Sequence, residues 1–309
     1  MRYRSFGRSG RSISDLTLNL SERTLARGKT AGPALVTEAM ENGINSFLLE
    51  TPDAILAELV GRAVADVDRH LIFVAVRIGN VSQRGQLIRD FSPAGVTAAI
   101  DAVLLASGIE YLDMVLLDDP HEDELSHATL SALKALRASG RIQMLGIAGG
   151  DKVMDAYVST NAFDVLATPF NVDASWTTRN RVNAAVSRDM AVVGYDFFPD
   201  YLSSLKKIES GNRPKWGLFD WGRSKHQNSD LRNDGLEGFA FLHQTPGWTA
   251  EEICLSYALS EPMLASVVID TSDSEHLARL AELPERTLPP GMVAQIEMAR
   301  VKMASARTA

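Results

Sequence analysis

Charge collects in this sequence where short apolar runs end. Phe73-Val74-Ala75-Val76 runs into Arg77, and Met114-Val115-Leu116-Leu117 into Asp118 and Asp119. Glu50 and Asp53 follow Phe47-Leu48-Leu49, Asp196 follows Val193-Gly194-Tyr195, and Asp270 follows Val267-Val268-Ile269, with Asn171 and Tyr195 among them. Paired carboxylates can divide acid and base roles, hold a cationic or polyol ligand, or take a hard divalent metal. Arg77 keeps its proton at neutral pH, so it can bind an anion or orient a carbonyl but cannot relay a proton. Glu50 lies two residues after Leu48, and strand alternation aims both at the same side. The bland reading puts several of these acids on loops, facing solvent.

The elements that must position these groups are legible as alternation. Apolar runs at 71–76, 114–117, 142–147 and 191–194 have strand length, and helical patterns at 93–106, 125–138 and 181–188 lie between them. Strands buried on both faces and separated by helices imply a parallel sheet covered on its outside. The expected fold class is α/β, a (β/α)8 TIM barrel, which needs about 250 residues plus insertions. We read 1–309 as one domain, with residues 202–247 a long polar loop after the seventh strand, over the mouth. Arg77 and Asp118 then stand on neighbouring strands, and an ion pair accounts for both.

Composition excludes more than it selects. The net charge of −8 gives no electrostatic case for nucleic acid or an anionic membrane. No apolar run of about 18 residues and no signal-peptide pattern is present, so a soluble, cytoplasmic protein is expected. The single cysteine, Cys254, allows no internal disulfide and reads as core packing. Asp118 to Glu124 reads as a helix start, where acids favour the positive dipole end, ahead of a metal site. Arg27-Gly28-Lys29-Thr30 lacks the upstream glycines of a phosphate loop. Gly149-Gly150 is either an anion cradle or a tight turn. Trp216, Trp221 and Trp248 either lid a ligand or pin the long loop, and His243 has no nucleophile partner at recognisable spacing.

One stretch, Gly43-Ile44-Asn45-Ser46-Phe47-Leu48-Leu49-Glu50-Thr51, resembles the second barrel strand of the aldo-keto reductases, G-I-N-x-x-D-T-A-x-x-Y. The likeness runs nearly end to end. Residues 1–16 are similar to that family's N-terminal hairpin and first strand, 111–117 to its fourth, 140–147 to its fifth, 192–195 to its seventh and 267–269 to its eighth. The resemblance implies a catalytic tetrad of Asp, Tyr, Lys and His, and its positions align with Leu48, Asp53, Arg77 and Asp118. It implies cofactor contacts as well. The Ser-Asn after the fifth strand aligns with Ala148 and Gly149, and the nicotinamide-binding Gln of the sixth with Ala167. The phosphate-gripping residues after the eighth align with a segment from Asp270 to Glu275 that holds no cation. Only Tyr195 aligns with the aromatic that stacks on nicotinamide.

Carbonyl reduction builds negative charge on oxygen and needs donors there. Ionised Asp53 and Asp118 are acceptors only. The sequence thus points to a repurposed non-redox acid/base enzyme or a degenerate pseudo-reductase with an acidic pocket and a polar small-molecule ligand. A divergent NAD(P)H-dependent oxidoreductase, with NADPH as cofactor, and a non-catalytic ligand-binding or partner protein stand as alternatives. Chemistry, if retained, falls to Glu50, Asp53, Arg77 and Asp118, with Tyr195 and Asn171 shaping the pocket or contacting a cofactor. No metal site is assigned.

Overall fold

The chain begins with an antiparallel hairpin, β1 (Tyr3–Ser5) and β2 (Ser12–Ser14), turned by a short 3-10 segment at Gly7–Ser9. The computed structural model describes residues 1–25, 31–83, 86–202 and 238–308. Apolar runs then become barrel strands: β3 (Leu16–Leu20), β4 (Ser46–Leu49) and β5 (Phe73–Ile78). A second hairpin, β6 (Asn80–Gln83) and β7 (Gln86–Arg89), interrupts before β8 (Leu112–Asp118), β9 (Ile142–Ala148), β10 (Val165–Pro169), β11 (Ala191–Tyr195) and β12 (Ser266–Asp270). β3, β4, β5, β8, β9, β10, β11 and β12 close into a barrel in that order, every pairing parallel.

Strand alternation divides the apolar side chains into two cores. Leu18, Phe47, Val74 and Val115 pack outward under the helices. Leu48, Phe73, Ala75, Met114, Leu116 and Val193 fill the barrel, and Phe6 of the hairpin plugs its N-terminal floor edge-on to Phe73 at 4.9 Å. The helices start where their caps are. Among them, α1 is Glu22–Leu25, α2 Ala31–Glu41 and α3 Ala54–Val64; α4 (Pro93–Ser107) has Ser92 accepting the Gly95 N–H, Pro93 in its first turn and Gly108 at φ 69 closing it. Next come α5 (His127–Ala138), α6 (Val153–Ser159), α7 (Trp176–Val186), α8 (Ala250–Leu259), α9 (Ser274–Glu282) and α10 (Met292–Thr308).

Three local expectations need correction. Residues 118–124 do not start a helix; α5 begins at His127, capped by Ser126, and the acids before it lie in the connection. The helix expected at 181–188 starts at Trp176, because Ser175 caps it by accepting from the Thr178 N–H. The run expected at 71–76 becomes a strand only at Phe73, after a 3-10 turn at Arg69–Leu71. Arg27 to Thr30, Trp216, Trp221 and residues 203–237 of the expected loop lie outside the described residues. No described helix is long and apolar enough to cross a membrane.

Candidate active site

β5 and β8 bring Arg77 and Asp118 to the C-terminal mouth, because Arg77 pairs in register with Leu116 and Asp118 lies two residues further on. Arg77 Nη1 is 3.6 Å from Asp118 Oδ1, an ion pair just beyond hydrogen-bond reach. The pair is partly open, the side chains being 18% and 24% exposed. The other carboxylate oxygen of Asp118 accepts from Asn80 Nδ2 at 2.7 Å. The Arg77 guanidinium carbon also lies 4.6 Å from the centre of the Tyr195 ring, a cation–π contact. Burial pushes the Tyr195 hydroxyl well above its ordinary pKa; Arg77 pulls against it, while Asp196, Asp118 and Asp119 add to the rise.

The hairpin β6–β7 was not legible in the sequence, yet it supplies Asn80, one of the partners of Asp118. Gly79 must be glycine to enter it: φ is 107 and a Cβ there would sit 2.2 Å from the Phe91 ring. Arg89 grips Glu124 with Nε at 2.8 Å and Nη2 at 2.6 Å, and also donates to the Asp119 carbonyl at 2.7 Å. Those charge-assisted bonds hold the Glu124 carboxyl down at about 2. Asp119 moves the opposite way. It sits at φ 51, and burial, followed by the Asp151 carboxylate, raises its pKa.

The remaining candidates scatter around the rim. Asp53 is the N-cap of α3, its carboxylate accepting from Ile55 and Leu56 N–H at 2.8 and 3.0 Å. Asn171 ties two loops together, donating to the Asp196 carbonyl at 3.1 Å and accepting from the Asp173 N–H at 2.9 Å. Glu50 is partly buried just past β4, and Asp270 ends β12 exposed. Leu48 is 1% exposed within the barrel core. Gly149 is no anion cradle, because its N–H donates to the Ala167 carbonyl, and a Cβ on it would meet Asp119 Oδ1 at 2.8 Å. Cys254 is fully buried in α8, and burial raises its thiol pKa.

Beside the mouth, a cavity of about 360 Å³ opens between the segment after β11 and the starts of α8 and α9. Trp248, Glu251, His276 and Arg279 are among its walls, with His243, whose buried Nε2 has no hydrogen-bond partner among the described residues. Trp248 lies under Arg286, 3.7 Å from guanidinium carbon to ring centre, so it pins its segment. Asp273 caps α9 by accepting the His276 N–H at 2.9 Å. The His276 ring bridges Thr271 Oγ1 at 3.0 Å and Glu251 Oε2 at 3.1 Å. No group of three or more metal-capable side chains converges among the described residues.

The sequence profile of the aldo/keto reductase family matches residues 34–300. The holo form of an aldo-keto reductase from Bacillus halodurans superposes with a TM-score of 0.74 at 19% identity, over 97% of this chain and 96% of that one. Glycerol dehydrogenase from Gluconobacter oxydans does so with a TM-score of 0.73 at 15% identity, over 94% and 93%. At such identities the structural likeness speaks for the fold.

Proposed function

The chain belongs to the aldo/keto reductase family, and from that premise we propose that its mouth binds a polar ligand without performing the family's NADPH-dependent carbonyl reduction. The observation that carries this reading is the Arg77–Asp118 pair stacked against Tyr195. By resemblance these two occupy the positions of the Lys and the His, and they neutralise each other where a proton donor is needed. Leu48, in the Asp position, offers no charge, and Asp53, in the Tyr position, is engaged as a helix cap. An alkoxide growing here would face the Asp118 carboxylate, and Arg77, already paired with it, keeps its own proton, so the growing charge costs free energy instead of lowering the barrier.

The residues present do not fit the dinucleotide either. A helix N-terminus attracts phosphate through its free N–H groups. At α9, after the eighth strand, the Asp273 carboxylate already takes that place, and Glu251 stands close by through His276. Non-redox acid/base chemistry would fall to the carboxyl groups. Asp119 holds its proton to higher pH than an ordinary aspartate and adjoins Asp118, a pairing suited to divided acid and base roles.

A second reading, a divergent NAD(P)H-dependent oxidoreductase, draws support from family membership and from Tyr195 at the mouth. Turnover separates the two. Incubated with NADPH and a panel of aldehydes and ketones, the protein is expected to leave the nicotinamide absorbance at its blank rate. Catalysed oxidation of NADPH by any member of the panel would overturn the proposal.

A further inference from the structure

The floor of the barrel, at the opposite end from the mouth, holds a larger cavity of about 560 Å³. It lies between the Gly7–Ser9 turn and the entries to β8, β9 and β10. Phe6 and Met144 give it an apolar base, and Arg8, Arg11 and Arg137 face two carboxylates, Asp113 and Asp164. Its volume falls within the roughly 300–1,000 Å³ of ordinary ligand pockets.

The two carboxylates are already committed. Asp113 is 1% exposed, held by Arg11 at 3.0 Å and by Arg69 at 2.7 Å, and it accepts the Val74 N–H at 2.8 Å. Asp164 accepts from Arg137 at 2.8 and 3.3 Å and from the Leu145 N–H at 3.0 Å. Arg8 differs. Its Nη2 stays 3.8 Å from Asp164 Oδ1, too far for a hydrogen bond, and among the described residues its guanidinium makes none. Arg8, Arg11 and Arg137 thus outnumber the two acids of the cavity wall, in a chain whose overall charge is −8. The turn that presents Arg8 is fixed by geometry: Gly7 has φ 52, and a Cβ on it would meet Ala191 N at 3.0 Å.

We propose that this floor cavity is a binding site for a doubly charged oxyanion of the phosphate or phosphate-monoester class. Arg8 and Arg137 make the contacts, Arg11 adds to the field, and the Phe6 and Met144 base accommodates the organic part of an ester. Guanidinium forks suit tetrahedral oxyanions by paired N–H donation. The site is independent of the mouth and of what the mouth does.

The test is calorimetric titration of the whole protein with inorganic phosphate and, separately, with phenyl phosphate, whose ring suits the apolar base. Saturable binding at or below millimolar concentration is expected for both, tighter for the ester. Arg8→Ala should weaken binding at least tenfold without moving the thermal midpoint, and Arg8→Lys should restore part of it. Absence of saturable heat, or equal affinity in Arg8→Ala, would overturn the proposal. Phosphate binding with no preference for the ester would remove the organic subsite.

Discussion

At the floor of the barrel, Asp15 and Asp113 are almost wholly buried and each is held by two arginines: Arg2 and Arg4 for the first, Arg11 and Arg69 for the second. At the mouth, Asp118 is about a quarter exposed and shares one arginine with an aromatic ring. Both ends use the same two residue types. Burial separates their roles. The floor pairs clamp the N-terminal hairpin to the strand entries, and removing one partner there strands an uncompensated charge. Even with two arginines close by, burial outweighs them and raises the Asp113 pKa. The mouth pair meets water, so it is weak as a stabiliser and open to a ligand.

The sharpest way to break this contrast is Asp113→Ala. It should cost about 3–5 kcal/mol, read as a loss of unfolding free energy in urea; a loss within the error of the measurement would make the two ends equivalent. Leu48→Ala, in the apolar layer beneath the mouth, should cost about 2–4 kcal/mol through the cavity it leaves. A smaller loss would mean that the barrel collapses onto the gap and that the mouth is softer than the floor. Asp53→Ala should cost about 1 kcal/mol through its lost cap and leave ligand binding untouched. Ligand affinity falling with it would return that residue to the site.

Asp118→Asn should cost less than about 1 kcal/mol. A cost matching that of Asp113→Ala would refute the division between the ends. The smallest effect concerns pH. The Glu251 hydrogen bond raises the His276 pKa, against burial, which lowers it. The stabilisation of this contact is complete below about pH 6.5, the unfolded value, and is lost as pH rises through the raised folded value. Thermal midpoints should therefore decline modestly across that window, and His276→Gln should flatten the decline.

Barrel strands were readable because runs buried on both faces are continuous in sequence, as at Val192-Val193-Gly194. Arg77 against Asp118 was readable as complementary charge at two strand ends. The start of α7 was missed because Trp176, Thr177 and Thr178 show no apolar period, and only the Ser175 cap marks the boundary. The acids after β8 imitate a helix start. In the fold, Asp119 takes a positive φ and Glu124 turns to Arg89, a partner 35 residues earlier that no local pattern announces. Asn80 was invisible for the same reason: its contact with Asp118 exists only once the β6–β7 hairpin folds over the mouth.

Cofactor binding is the decisive property of the mouth. Equilibrium titration with NADPH and NADH, followed by fluorescence and by heat, should show no saturable binding up to millimolar cofactor. Micromolar affinity for either nucleotide would contradict the account, and would mean that the capped helix and the acidic mouth accept phosphates after all.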